Sequence, residues 1–123
     1  MNVIFIHQNF PGQYRHLVRQ FLADGQNRIV GICQPHAPGI RDKTFAQVLK
    51  SVYKPHREPA KTTHTYLTNV EKNILTGQGV ARSMLGLKKK GFKPDLAFAH
   101  IGWGEALYFK DIFPQNRSGK TGQ

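Results

Sequence analysis

The chain has 123 residues, which is enough for one domain, and we expect no second catalytic domain within it. Its 18 Lys and Arg residues against 7 Asp and Glu residues give a formal net charge of +11, which favours polyanionic partners without selecting among them. The one cysteine, Cys33, excludes an internal disulfide and lies in an apolar run typical of a buried structural thiol. No segment approaches the roughly 18 apolar residues that cross a bilayer, and the start lacks a signal-peptide pattern, so we predict a cytoplasmic protein.

The first elements form a β-α-β unit. Residues 2–7 are a short apolar run rich in β-branched side chains, typical of a strand that is buried on both faces. After a polar turn, apolar residues recur with helical spacing from Tyr14 to Leu22, and Gly25 is a suitable C-cap. A second strand at 29–33 follows closely. This order predicts the opening of a Rossmann-like domain with a right-handed crossover.

The rest of the chain continues this alternation. Residues 48–53 predict a third strand near the edge of the sheet. A helical spacing is then kept by five apolar residues, namely Leu67, Val70, Ile74, Ala81 and Leu85. It predicts one long helix, or two shorter ones separated at 77–79. Residues 95–100 predict a fourth strand, and 102–107 a turn that enters a short helix.

We therefore predict the α/β class, with a Rossmann-like parallel sheet flanked by helices. The domain covers residues 1–115. Residues 116–123 contain no apolar side chain and predict a disordered tail.

Candidate site residues follow the first and fourth strands, because ligands bind at the carboxyl ends of parallel strands. After the first strand, the candidates for substrate binding are His7, Gln8, Asn9, Pro11, Gly12 and Gln13. After the fourth strand, the candidates are His100 and Glu105 for catalysis, with Gly102 and Trp103 for substrate binding. If the strand order is 3-2-1-4, both loops flank the topological switch point, and His7 and His100 face one crevice. Amide side chains and free backbone N–H groups there suit hydroxyl-rich or anionic ligands.

Each of these residues also fits a structural role. A tight turn with Asn9 capping the following helix explains the first loop equally well. A lone histidine at a strand end, such as His100, is more often structural, and Trp103 fits a core anchor as well as a surface on which a sugar stacks. In the functional interpretation, His100 hydrogen-bonds a substrate hydroxyl. Glu105 orients this hydroxyl or accepts a sugar hydroxyl proton.

The sequence predicts no metal and no cofactor. The six histidines are scattered without metal-ligand spacing, and no G-x-G-x-x-G pattern is present for a dinucleotide. A basic cluster, which we call the lysine patch, consists of Lys88, Lys89, Lys90 and Lys93. It complements the dipole at the end of the predicted helix, and it also fits a membrane-facing or phosphate-facing surface.

Two segments carry a family likeness. One is the start of the chain, MNVIFIHQNFPGQYRHL, at 1–17; the other is PDLAFAHIGWGEAL at 94–107, followed by KDIFP at 110–114. Their order and their placement at strand ends resemble the N-terminal domain of glycosyltransferase family 4, the retaining group-one transferases with two facing Rossmann-like domains (GT-B). The likeness covers residues 1 to about 114.

The resemblance implies a role in carbohydrate biosynthesis, with transfer of a hexose from a nucleotide-sugar to a sugar or lipid-linked acceptor. In that family the N-terminal domain chiefly binds the acceptor, and a C-terminal domain binds the nucleotide-sugar. By resemblance, Gly12 matches the loop that approaches the acceptor and the donor phosphate, and His100 matches a strand-end histidine near the transferred sugar. This sequence has no counterpart of the donor domain, so we expect an incomplete domain or fragment that is inactive alone and needs a complementing C-terminal domain.

A basic module that binds nucleic acid or an anionic membrane is the alternative. The chain lacks the aromatic-interleaved pattern of an RNA-binding sheet and any helix-turn-helix pattern, which disfavours nucleic acid. Peripheral contact with the inner face of a membrane is compatible with a lipid-linked acceptor and would use the lysine patch.

Overall fold

The computed structural model describes residues 1–55, 57–58, 60, 65–100, 108–114 and 117–121. Within these residues the strands are β1 (Asn2–Ile6), β2 (Arg28–Cys33), β3 (Leu49–Val52), β4 (Leu96–His100) and β5 (Arg117–Thr121). The α-helices are α1 (Arg15–Asp24), α2 (Thr65–Lys89) and α3 (Phe109–Ile112). All strand pairs are parallel, in the order β3-β2-β1-β4-β5. The predicted Rossmann-like α/β fold is therefore confirmed.

Strand β1 is the centre of the molecule because alternate residues enter two separate cores. Ile4 and Ile6 pack in the core that includes the inner face of α2, whereas Val3 and Phe5 pack in the core that includes α1. All four side chains are fully buried. Helices thus cover both faces of the sheet, which explains why the sequence of β1 has no polar alternation.

Helix α1 begins after a 3₁₀ turn at Gly12–Tyr14 and ends as the sequence predicts. Gly25 adopts φ +74°, and its N–H donates to the carbonyl of Leu22 at 3.1 Å. Because left-handed backbone suits glycine, this residue is the C-cap.

Helix α2 is one continuous helix of 25 residues, so the alternative of two shorter helices is wrong. Gly79 lets it approach the segment after β3, since a Cβ there would lie 2.9 Å from the ring of Tyr53. The side chains that face the core are Leu75, Val80, Met84 and Leu87. The exposed side carries an apolar row, which we call the α2 stripe, formed by Leu67, Val70, Ile74 and Leu85. The helix is therefore apolar on two sides.

The end of the chain differs from the predicted disordered tail. Strand β5 pairs with β4 from Arg117, opposite Leu96, to Thr121, opposite His100. The N–H and C=O groups along the edge of β4 can pair with any extended segment, so this pairing does not require apolar side chains. Residues 117–121 consequently form an edge strand.

Candidate functional site

The loops that follow β1 and β2 meet at the carboxyl edge of the sheet. Hydrogen bonds between the described residues join them. Three are Gln34 N to Gln8 O at 3.1 Å, Gly39 N to Phe10 O at 2.7 Å, and His36 Nε2 to Asn9 Oδ1 at 2.8 Å. A longer one runs from Gln34 Nε2 to Gln8 Oε1 at 3.5 Å. The strand order reverses between β1 and β4, so this edge lies beside the topological switch point. The two loops form one polar surface where α/β folds bind ligands.

His7 holds the first loop from inside. Its side chain is 5% exposed, and its Nδ1 accepts the backbone N–H of Asn9 at 3.0 Å. The ring meets Tyr14 edge to face, with ring centroids 6.0 Å apart. Gly12 has φ +50°, and a Cβ there would lie 2.5 Å from His7 Nε2. Because Nδ1 accepts a hydrogen bond, the neutral ring carries its proton on Nε2, and the ring supports the loop from below.

Phe10 fixes the same loop to β2 and to the loop that follows it. The ring is completely buried and packs edge to face with Phe45, with centroids 5.8 Å apart. Two glycines make room for it, because a Cβ would lie 3.0 Å from the Phe10 ring at Gly31 and 2.6 Å from it at Gly39. The position of the loop backbone therefore depends on one aromatic ring and two residues without side chains.

The tight turn of the structural alternative is present, since Gly12 N–H donates to Asn9 O at 3.1 Å, but Asn9 does not cap a helix, so that part of the alternative is wrong. Neither the turn at Gly12–Tyr14 nor α1 has a side-chain capping hydrogen bond, and the Asn9 side chain instead accepts from His36. Gln8 and Asn9 are half-buried, Pro11 is buried, and Gly12 and Gln13 are exposed. The amide side chains thus stand at the surface of the edge, above the buried residues.

Strand β4 is described to its last residue, His100, and residues 101–107 after it lie outside the described residues. Ile6 pairs with Ala99, so the next residues, His7 and His100, end adjacent strands about 4.8 Å apart in the backbone. Gly102, Trp103 and Glu105 lie outside the described residues. The structure therefore brings the backbone of His100 to the same edge, while the roles of these four residues remain predictions.

The loop after β2 was missed by the sequence analysis. It surrounds a cavity of about 290 Å³, lined by Pro35, His36, Ala37, Pro38, Ile40 and Arg41. The signal was available, because the carboxyl ends of all parallel strands meet at one edge, and this loop is rich in proline and glycine. Among the described residues, no group of three or more His, Cys, Asp or Glu is close enough to hold an ion.

An ion pair secures the outer side of this loop. Arg15 at the start of α1 lies 3.3 Å from Asp42 and also covers the ring of Phe45, 5.2 Å from its centroid. Asp42 accepts the backbone N–H of Thr44 at 2.9 Å. This hydrogen bond, followed by the contact with Arg15, lowers the pKa of the Asp42 carboxyl. The carboxylate is therefore committed to these partners.

The lysine patch lies at the opposite end of the sheet. Lys88 donates to the carbonyl of Ile112 at 2.9 Å, and the carbonyl of Lys93 accepts the side chain of Asn2 at 3.0 Å. These contacts are at the amino end of β1, and five residues of strand span about 17 Å. The patch consequently cannot share a ligand with the loops at the carboxyl edge.

Comparison with known families supports the resemblance. Residues 25–119 match the sequence model of the glycosyl transferase family 4 group. The match includes the segment at 94–107 and begins after the segment at 1–17. No curated protein and no solved structure was found to match the chain.

Proposed function

The chain belongs to the glycosyl transferase family 4 group, and from that premise we propose that it is the acceptor-binding, N-terminal part of an enzyme that transfers a sugar from a nucleotide-diphosphate sugar. The observation that carries this proposal is the polar edge formed by the loops after β1 and β2 beside the switch point. The acceptor in this proposal is a sugar or a lipid-linked sugar.

The amide groups at this edge suit hydroxyl-rich ligands. Gln8, Asn9 and Gln34 each carry both a donor and an acceptor, so they can bind a hydroxyl group in either direction. Gly12 and Gln13 are exposed beside them, where the backbone can approach a ligand closely. We assign contacts with the acceptor sugar to these residues. His7 and Pro11 hold the loop in place.

We assign the chemistry to the loop after β4. Strand β4 lies next to β1 and ends at His100, which supports entry of its loop into the same crevice. In this proposal His100 hydrogen-bonds a sugar hydroxyl, and Glu105 orients the hydroxyl or accepts a sugar hydroxyl proton. Gly102 and Trp103 bind the sugar.

The isolated chain should not transfer sugar. The departing nucleotide diphosphate needs positive groups placed against its developing charge. The lysine patch is at the wrong end of the sheet for that task. We propose that a complementing C-terminal domain binds the donor.

The test is an NMR titration of the ¹⁵N-labelled chain with neutral sugars, such as glucose, mannose and N-acetylglucosamine, and separately with UDP. We expect the sugars to shift amide signals of residues 8–13, and UDP to leave the signals of residues 8–13 unchanged. Asn9→Ala should weaken sugar binding about fivefold, the effect of losing one hydrogen bond. Gln20→Ala, an exposed change on α1, is the matched control. Shifts of residues 8–13 caused by UDP but not by the sugars, or sugar transfer by the purified chain, would contradict the proposal.

Peripheral membrane contact is a second candidate, favoured by the α2 stripe. Its four apolar side chains are 41% to 57% exposed, and the helix ends in exposed lysines of the lysine patch. An exposed apolar row beside cations is the pattern of helices that lie on anionic membranes. Among the described residues, no helix is long and apolar enough to cross a membrane.

Sedimentation with phosphatidylglycerol vesicles tests this candidate. A triple variant, with Lys89, Lys90 and Lys93 changed to Gln, should bind about tenfold or more weakly than the parent chain. A control that removes the same charge elsewhere, with Arg19, Lys43 and Lys72 changed to Gln, should bind more tightly than the patch variant. Equal binding by the two variants would show that only net charge matters.

A further inference from the structure

The cavity in the loop after β2 carries one fixed positive charge, the guanidinium of Arg41. His36 also lines it, and the other lining residues have no ionisable side chain. Arg41 is exposed, and among the described residues it forms no ion pair. The neighbouring acid, Asp42, is already bound by Arg15 and by the N–H of Thr44. Nothing in the described surroundings therefore neutralises the guanidinium at the mouth of the cavity.

The cavity is also held in shape without a ligand. Within the loop, Ala37 N–H donates to Gln34 O at 3.1 Å and Ile40 N–H to Ala37 O at 3.2 Å. His36 is oriented by its Nε2 hydrogen bond to Asn9, which leaves Nδ1 as the second polar atom of the ring. Groups that are ordered before binding lose little entropy when a ligand arrives.

We infer that this cavity recognises a negatively charged group on the acceptor, a carboxylate or a phosphate, through Arg41, while the neighbouring His36 Nδ1 can accept a hydrogen bond from a hydroxyl of the same ligand. The inference rests on the proposed acceptor-binding function and narrows it to anionic acceptors. The guanidinium presents paired N–H donors that match two oxygens of either anion. A volume of about 290 Å³ is at the small end of ligand sites, which suits a monosaccharide unit or its charged substituent. The hydrogen bond from His36 to Asn9 connects this cavity to the amide groups that would bind the neutral hydroxyls.

The experiment compares four probes by NMR titration of the labelled chain at low salt: glucose, glucuronic acid, glucose 6-phosphate and inorganic phosphate. We expect at least one of the two charged sugars to bind about tenfold more tightly than glucose and to shift the signals of residues 36–41. The charged sugar that binds more tightly identifies the preferred anion: glucuronic acid indicates a carboxylate, and glucose 6-phosphate indicates a phosphate. Arg41→Gln should abolish the preference, whereas Arg41→Lys should keep part of it. Lys72→Gln removes one charge on α2 and should leave the preference unchanged.

The outcomes separate this inference from the proposed function. If glucose shifts residues 8–13 but charged sugars bind no better, the anion site is refuted and acceptor binding stands. If inorganic phosphate shifts residues 36–41 in an Arg41-dependent way while no sugar binds better than phosphate itself, the anion site stands and the acceptor assignment fails. Anion-induced shifts confined to the lysine patch, or an unchanged preference in Arg41→Gln, would overturn the inference.

Discussion

Different kinds of contact stabilise the two ends of the sheet. At the carboxyl end, a buried ring fits against two glycines, with Phe10 between Gly31 and Gly39. At the amino end, exposed polar groups pair across strands: Asn2 N–H donates to Asp95 Oδ2, and Asp95 N–H to Asn2 O, both at 2.7 Å. Both arrangements hold neighbouring chain segments together.

The difference concerns tolerance to change. Exposed hydrogen bonds exchange with water and contribute little each, so the amino end can lose one of them at small cost. A buried ring packed against glycine backbones leaves no space for a larger side chain at the glycines. If the ring is replaced by a smaller side chain, no neighbouring group fills its place. The end of the sheet that carries the candidate site should therefore tolerate substitutions less well than the amino end, which suits a site that must keep its shape.

The largest effect should come from Phe10→Ala, which empties the contact between the two loops. We expect a loss of about 3–5 kcal/mol in the free energy of unfolding, measured by urea denaturation, because a fully buried ring is removed. Sugar-induced shifts of residues 8–13 should disappear with it. A loss below about 1 kcal/mol would mean that the loops are held by their hydrogen bonds alone.

Gly12→Ala should be next in size, at about 2–4 kcal/mol, because the added Cβ meets the His7 ring and the backbone is left-handed. In a His7→Ala background, the same change should cost only the backbone strain of about 1 kcal/mol. Gly86→Ala is the matched control in α2, where a Cβ meets nothing within 4 Å, and it should stabilise the chain slightly. If Gly12→Ala cost the same free energy of unfolding with and without His7→Ala, the contact with the His7 ring would not be the cause of the destabilisation.

At the amino end, Asp95→Ala should cost about 1 kcal/mol, the usual value of one exposed hydrogen bond. Asp95→Asn keeps an acceptor oxygen and should retain most of the stability. Urea denaturation of both variants beside Phe10→Ala measures the contrast directly. If Asp95→Ala destabilised the chain as much as Phe10→Ala, the two ends would not differ in their tolerance to change.

The effect that is smallest at neutral pH concerns Cys33 at the end of β2. Burial raises the pKa of its thiol from 9.0 to about 11, against a smaller lowering by Lys50. The unfolded thiol ionises at the lower value, so its contribution to stability is complete below pH 9 and is lost as pH rises toward 11. Cys33→Ala should flatten this part of the stability profile. At pH 8 the folded chain should react slowly with a thiol reagent, and fast reaction would place the thiol at the surface.

The sequence could predict the elements whose side chains repeat with a clear period. The continuous apolar run of β1, the helical spacing before Gly25 and the strand order around the switch point all agree with the structure. The buried side of α2 could not be predicted, because the helix carries apolar rows on both sides and periodicity does not say which one faces the sheet. Strand β5 pairs through its backbone, which the pattern of its side chains does not record.

Of the candidate site, the sequence predicted the edge of the sheet and the loop after β1. It did not predict that Asn9 pairs with His36, because the two residues are 27 positions apart and meet only when β1 and β2 are aligned. It also assigned His7 to the ligand crevice, whereas the structure buries the ring beneath the loop. Contacts of this kind depend on register and packing, which local patterns do not contain.

The fit of Phe10 against Gly31 and Gly39 also restricts how such a protein can evolve. A larger residue at either glycine displaces the ring. A substitution that changes the conformation of one loop is therefore tolerated only if the other loop changes as well. The two loops should therefore be inherited as a pair, and a change of ligand preference would come most easily from their exposed side chains. Arg41 and Gln13 are such positions, because they can change without disturbing the buried contact.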